Sequence, residues 1–436
     1  MDFRRIAAAW NRFWFAPISP TPIALFRILF GFLVILHGIL LAPDLLLWYG
    51  EGSAVSSETA LQMFAKPHVN LFALLPPGNE FIFAFFIFSM LAALALTLGL
   101  WTRGSTVIVL LWLLSVYSRG WMVTNAADIF LHIAAFYLIF SPAGEALSLD
   151  RLWRILRGQE SGPPAPRAPW AQRMIQVQLA MVYFSSFLWK NQSSQWADGT
   201  AVYYISRLEA FRRFPVPYLF EHLWTVQLLT WGSVVLDFLL ATFIWIIEFR
   251  YTLLAAGILY HLFMDYSINV QLLQAPFLAA YATFVEPEHL SRLMNALRAW
   301  MKERFGPPVP VFYDGTCEAC IRSVRALEVL DLLRRFSLVS FRSPTEVAAY
   351  REFGPEQARR AVGELLLRLP NGTWLGGFSA FRWIAWRLPL CWLAAPFLHL
   401  PGADIVGNRL YAWVSRNRYR FLGVHCAGTA CLPSAR

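Results

Sequence analysis

Two hydrophobic regimes divide the chain. Between residues 22 and 285 long apolar runs follow one another with short polar breaks, and beyond residue 309 the runs shorten and alternate. The long runs predict membrane spans near 22–42, 80–101, 105–118, 128–142, 173–190, 224–248, 251–266 and 267–285, against the ~20 residues a helix needs to cross a bilayer. The fold class expected is therefore an all-α polytopic membrane domain of about eight transmembrane helices, followed by an α/β domain. Residues 1–20 are basic and aromatic (Trp10, Phe13, Trp14, Phe15) and read as an interfacial entry to the first span. Gln159 to Pro169, with four prolines, reads as a connector. His289 to Arg304 predicts an amphipathic surface helix that Gly306-Pro307-Pro308 ends. From there the pattern predicts a strand at 309–313, a helix to about Arg335, a strand at 336–341, a helix around 345–360 and a strand at 363–369. An Asn371-Gly372 turn into Trp374-Leu375 follows, then helices after Ser379 and Asp404. That β-α-β-α-β-β-α order resembles a thioredoxin-like layer. The domains expected are 1–290 in the membrane, 291–308 as surface helix and linker, and 309–436 as the α/β domain.

Composition supports the membrane assignment: of 436 residues 57% are hydrophobic and 15% charged, where a soluble domain carries about 25% charged. Net charge is +10, and its distribution orients the chain. With the N-terminus inside, inner segments hold ten arginines (4, 5, 12, 103, 151, 154, 157, 167, 173 and 250), and outer ones hold Lys66, Arg119, Arg207, Arg212 and Arg213. The positive-inside bias then places the C-terminal domain in the cytoplasm. The basic excess fits loops facing anionic lipid, and no nucleic-acid motif accompanies it. The 19 tryptophans are assigned to membrane interfaces. No small-residue cleavage site follows an apolar core of signal-peptide length, so no removable signal is expected.

All five cysteines lie beyond residue 300. Cys317 and Cys320 follow an apolar run and a glycine turn in Val311-Phe-Tyr-Asp-Gly-Thr-Cys-Glu-Ala-Cys320, where a helix begins. A helix N-terminus stabilises a thiolate. Zinc binding is the alternative, with His425, Cys426 and Cys431 as the second ligand set; the strand-turn-helix context favours redox chemistry, and no metal is expected. Residues 309–431 resemble the DCC family of thiol-disulfide oxidoreductases through Tyr313-Asp314-Gly315-x-Cys317-x-x-Cys320, Gly376-Gly377-x-Ser379-Ala380 and Asn417-Arg418-Tyr419-Arg420. The resemblance implies Cys317 as the exposed attacking thiol, Cys320 as its resolver, and Asp314 beside them as a proton relay or a helix cap.

The second candidate is Lys190, at the end of Tyr183-Phe-Ser-Ser-Phe-Leu-Trp-Lys190 and followed by Trp196-x-x-Gly199. A lysine there is either an anchor snorkelling to headgroups or a partly desolvated amine able to act as a base. Residues 17–290 resemble the HTTM group, the membrane domain shared with vitamin K-dependent gamma-carboxylase, best through the Tyr-x(6)-Lys spacing and Trp-x-x-Gly. In that carboxylase the matching lysine deprotonates a hydroquinone, so the resemblance implies a quinone or hydroquinone as ligand. Two departures weaken carboxylation: Thr124-Asn125-Ala126-Ala127-Asp128 has alanine and Asp128 where the carboxylase has a histidine after asparagine, and the large lumenal domain is absent. Other ionisable residues in the spans are Arg27, His37, His132, Asp237, His261 and Asp265. Asp128 and His132 are four apart and share a helix face, which suits a proton relay. His261 and Trp196 complete the expected ligand-binding set, and Arg27 is expected to pair with Asp128 or Asp237.

These expectations describe a multi-pass protein of a bacterial inner membrane, in which a cytoplasmic cysteine pair acts on a thiol-containing protein or peptide. A carboxylase-like modifying enzyme using Lys190, and a non-catalytic maturation factor for a client protein, are the alternatives. Under the expected topology Lys190 and the cysteines lie on opposite sides of ~30 Å of hydrocarbon and cannot share a bond. A cytoplasmic pair rests as dithiol, which favours a reductase or sensor.

Overall fold

The computed structural model describes residues 3–63, 69–120, 124–214, 219–392 and 395–422. The chain folds as two units, Met1–Arg151 with Pro164–Pro287, and Leu152–Pro163 with Glu288–Arg436. Leu152–Pro163, between the two stretches of the first unit, belongs with the second unit, where Gly158 approaches the Arg322 guanidinium.

The first unit is helical: α1 (Phe3–Phe15), α2 (Thr21–Leu41), α3 (Asn79–Leu98), α4 (Thr102–Arg119), α5 (Ala126–Phe140), α6 (Trp170–Lys190), α7 (Leu223–Thr242), α8 (Ile247–Ser267) and α9 (Ala275–Ala280). The first seven expected spans each overlap one of these helices. By length and composition three helical stretches, Thr21–Tyr49, Asn79–Leu98 and Leu223–Trp245, are apolar and long enough to cross a bilayer. The last expected span, 267–285, is not one helix. Residues 268–274 are irregular, and α9 with the turn Tyr281–Phe284 makes an apolar stretch of ten residues, Ala275–Phe284, about 15 Å long against ~30 Å of hydrocarbon. The polar side chains of Asn269, Gln271 and Gln274 explain the break.

Arg27 organises the N-terminal part of α2. It is fully buried and pairs with neither Asp128 nor Asp237, contrary to expectation. Its guanidinium donates to backbone carbonyls instead: Nη1 to Ala143 (2.8 Å) and Ala146 (3.4 Å), Nη2 to Leu147 (2.5 Å) and Thr97 (3.4 Å). Five donors in one plane suit a ring of acceptors at a chain reversal. Gly99 ends α3 in the left-handed region (φ 68°), and a Cβ there would lie 2.5 Å from the Arg27 Nη1. Asp150 then caps α4 from a distance, accepting from the Trp101 and Thr102 amides and the Thr102 hydroxyl at 2.7, 2.8 and 2.7 Å.

The second unit begins with α10 (Pro287–Phe305), the expected surface helix. Arg335 closes its end, donating to the Met301, Phe305 and Gly306 carbonyls, as a cation at a helix C-terminus does. The sheet has four strands in the order β2-β1-β3-β4: β1 (Val309–Tyr313) parallel to β2 (Phe336–Ser340) and antiparallel to β3 (Leu366–Arg368), which pairs antiparallel with β4 (Trp374–Gly376). Alternation along β1 sets two cores. Val309 and Val311 face Leu327 of α11 (Glu318–Leu330) and Ala380 and Ile384 of α13 (Gly377–Ala385), while Phe312 faces Ala361 of α12 (Pro355–Gly363). The helix expected to reach Arg335 stops at Leu330, because the Asp331 carboxylate takes the Arg335 and Phe336 amides and Arg334 turns through φ 50°. The helix expected over 345–360 is interrupted before Gly354-Pro355 and resumes as α12. Residues Ala403–Leu422 form α14.

Replacing Arg27 by Ala strands four carbonyls in a low-dielectric interior, at a cost on the order of 3 kcal/mol. Thermal unfolding of the detergent-solubilised chain should show a correspondingly lower midpoint.

Candidate functional site

Two constellations carry chemistry, one in each unit. In the first unit Lys190 ends α6 and meets Asp237 of α7 at 2.8 Å, with side chains 13% and 3% exposed. The anchor interpretation of Lys190 therefore fails: the ammonium is turned into the protein. The contact is a charge pair rather than a well-aligned hydrogen bond. Lys190 also donates to the Ser233 hydroxyl at 3.3 Å, and its Nζ lies 4.7 Å from the Trp196 ring and 5.9 Å from the Tyr260 ring, within cation–π range. Serine 233 precedes Asp237 by four on α7, so both polar groups present to α6 together.

Tyr183, two turns before Lys190 on α6, joins a hydrogen-bonded chain. Its hydroxyl is 2.6 Å from His261 Nε2 and 2.6 Å from the Tyr281 hydroxyl, and His261 Nδ1 is 2.5 Å from Gln274 Oε1. The amide oxygen can only accept, which assigns the proton to Nδ1; Tyr183 then donates to Nε2 and Tyr281 donates to Tyr183. Gly257, one turn before His261, admits the Tyr281 hydroxyl, since a Cβ there would lie 2.2 Å from it. Tyr260 and His261 rings are 5.3 Å apart, edge to face, which links this chain to the surroundings of Lys190.

Trp196, Ser233 and Tyr260 line a cavity of about 400 Å³ walled by apolar groups of α7 and α8, including Leu228, Leu236, Phe263 and Met264, with Arg207, Arg212 and Glu221 also on its lining. That is the size of small-molecule sites. The structure thus brings together Lys190, Trp196 and His261. It does not bring in Asp128 or His132. Asp128 forms the capping box of α5 with Asn125, accepting from the Asn125 amide at 2.8 Å while Asn125 Oδ1 takes the Ala127 amide at 2.8 Å, and it faces His37 at 3.8 Å; the His132 ring lies tilted against Tyr117 of α4 at 5.0 Å. No hydrogen bond or ion pair among the described residues joins either to Lys190. The Asn125-x-x-Asp128 spacing is a cap, which explains the acid where a relay was expected.

In the second unit Cys317 is the N-cap of α11. Its Sγ accepts from the Cys320 amide at 3.3 Å, and its own amide donates to the Asp314 carbonyl at 3.2 Å. The sulfur lies where the helix dipole favours negative charge. Two expectations change. The thiol expected to be exposed is buried (0%), and Cys320 is the half-buried one. Asp314 does not cap the helix either: its buried carboxylate accepts from the Thr316 amide (3.0 Å) and hydroxyl (2.7 Å) and from Arg342 through Nε (3.1 Å) and Nη2 (3.2 Å). Burial alone would raise its pKa, and the Arg342 and Thr316 hydrogen bonds outweigh that and hold it below the usual carboxylate range. A carboxylate so held is a fixed charge that shapes the turn. Among the described residues no group of three or more His, Cys, Asp or Glu could hold a metal ion; His425, Cys426 and Cys431 lie outside the described residues.

Sequence reasoning missed Asp237 and Ser233 as partners of Lys190, and Arg342 as the partner of Asp314. Asp237 carried a signal, an acid inside an apolar helix that demands a cation. Arg342 carried none beyond its place after β2.

A helical unit with apolar helices long enough to cross a membrane, joined to a mixed-sheet unit with a cysteine pair at a strand-to-helix turn, fits a membrane redox protein in two parts. The chain belongs to the HTTM domain family, whose model matches residues 15–288, more than half of its length. The model of the DCC1-like thiol-disulfide oxidoreductase matches residues 311–424, in the order expected. No solved structure matches the chain.

Truncating one member of a buried ion pair costs about 3–5 kcal/mol, and replacing both by apolar groups costs little. Lys190→Met and Asp237→Leu should each lower the unfolding midpoint in detergent, and the double variant should recover most of the loss. In the second unit Asp314 has a lowered folded-state pKa, so its contribution is complete above the unfolded value of ~3.9 and is lost as pH falls through the folded value. The stability gap between wild type and Arg342→Gln should be constant above about pH 5 and close below pH ~4 in acid unfolding.

Proposed function

We propose that this protein is an integral membrane thiol-disulfide oxidoreductase with a multi-pass HTTM unit and a thioredoxin-like second unit on the cytoplasmic side. The observation that carries the redox reading is Cys317 at the N-cap of α11, with the Cys320 amide donating to its sulfur. The strand order β2-β1-β3-β4, with only β1 and β2 parallel, supports the thioredoxin-like assignment. The arginine bias of the inner segments supports the orientation.

The chemistry follows from the pair. The Cys317 thiolate attacks one sulfur of a substrate disulfide and forms a mixed disulfide, releasing the other substrate sulfur as a thiol. The Cys320 thiolate then attacks Cys317 Sγ, releasing the second substrate thiol and leaving an enzyme disulfide. Two electrons pass from the pair to the substrate, and the reverse sequence oxidises a dithiol. Because Cys317 is buried, a substrate must open the turn to reach it, which suits a protein or peptide that makes contacts of its own.

The cavity beside Lys190 fits a ring-shaped apolar ligand of the quinone class. Trp196 and Tyr260 supply flat walls, and Ser233, which takes a hydrogen bond from Lys190 behind the lining, supplies a polar contact at one edge. A bound quinone would supply a two-electron couple soluble in the bilayer. A second reading, a carboxylase-like enzyme with Lys190 as base, is favoured by the turning of Lys190 into the protein. On that reading Asp237, 2.8 Å away, is the group placed to receive the lysine proton before the amine acts.

Purified full-length protein separates these readings. Cys317→Ser should abolish reduction of a model disulfide peptide and leave binding of a short-chain quinone intact, as read by tryptophan quenching. Lys190→Ala should do the converse. Full disulfide activity in Cys317→Ser would defeat the redox reading, and unchanged quinone binding in Lys190→Ala would defeat the ligand reading.

A further inference from the structure

The outward side of α14 has no role in either site, and its rotation is fixed. Gly407 lies against the Phe378 ring, the Tyr411 hydroxyl takes the Leu365 amide at 2.8 Å, and the Ser415 hydroxyl donates to the Gly363 carbonyl at 2.6 Å. With that side committed inward, Ile405, Val406, Leu410, Trp413 and Val414 are turned out, with Val406 67% and Trp413 50% exposed. At 100° per residue Val406, Trp413 and Leu410 fall within a narrow stripe, and Arg409 and Arg416 flank it beside Ile405. Both arginines are exposed, and among the described residues neither has a carboxylate within ion-pair distance. Phe397 and Leu400, in the turn that packs against α14, are also exposed.

We propose that this face of α14 docks on a bilayer surface containing anionic phospholipid. Three observations select that occupant. An apolar stripe with a tryptophan and a basic flank is the pattern of a helix lying in a membrane interface. The flanking charge is positive and unneutralised, which complements phosphate headgroups. The same polypeptide carries a membrane unit ending at Pro287, so a bilayer is always within reach of the tether. Docking would add a second attachment to the covalent one and limit the orientations the cysteine turn can present to its substrates.

The test places a photo-crosslinker, p-benzoyl-phenylalanine, at position 406 of the full chain in nanodiscs of phosphatidylglycerol and phosphatidylcholine, with position 356 of α12, over the other face of the sheet, as reference. Irradiation should give phospholipid adducts at 406, seen as a mass shift on the peptide, and few at 356. Arg409→Glu with Arg416→Glu should lower the adduct yield about tenfold in anionic nanodiscs while leaving the unfolding midpoint in detergent unchanged. Adducts from 406 to residues 423–436 would assign the stripe to this chain's own terminus, and adducts to a second copy would assign it to self-association. Either of those, or no adduct above the reference, would overturn the proposal.

Discussion

Hydrocarbon offers no hydrogen bonds, so a charge inside a membrane unit must find its partner within the protein. The first unit obeys this at two points, and its helix arrangement depends on both. Arg27 is satisfied by backbone, and the chain reversals at Gly99 and at 143–147 therefore have to converge on α2. Lys190 is satisfied by side chain, and α6 and α7 are held in one register by it. Around the second point the polar groups accumulate: Ser233, Tyr183, His261, Gln274 and Tyr281 are buried beside apolar helices that have no need of them for packing. A hydrogen-bonded string of this kind, fully paired, is a costly feature to keep unless it orients something.

The sequence made some of this readable and hid the rest for physical reasons. Apolar runs of membrane length mark helices regardless of tertiary context, and all but the last of the expected spans fall on one. The cysteine turn was readable because its signals are local: an apolar strand, a glycine turn and a helix start lie within ten residues. Pairings across the fold were not. Lys190 and Asp237 are brought together by packing, and an acid in one helix does not announce which cation will face it. Arg27 misled because its acceptors are carbonyls, which every residue possesses and no pattern reveals. Asp128 misled in the opposite sense, being a local cap whose spacing resembled a relay. The broken last span was foreshadowed by Asn269, Gln271 and Gln274, polar groups that an apolar count averages away.

The two units use opposite strategies to handle charge. In the second unit Asp314 is kept ionised by a cation and a turn, and the fixed carboxylate supports the backbone on which Cys317 sits. Local geometry of that sort tolerates a water-facing environment. In the first unit the same task falls to distant partners, the backbone carbonyls around Arg27 and the Asp237 side chain that faces Lys190 from a separate helix.

The burial of Cys317 has a chemical consequence beyond exchange. Progress from thiol to sulfenic acid and on to the irreversible sulfinic and sulfonic states requires an oxidant to touch the sulfur. A sulfur with no exposed surface is shielded from peroxide in the closed fold. The fold thereby sets the oxidation of Cys317 by access to the sulfur as well as by its intrinsic reactivity.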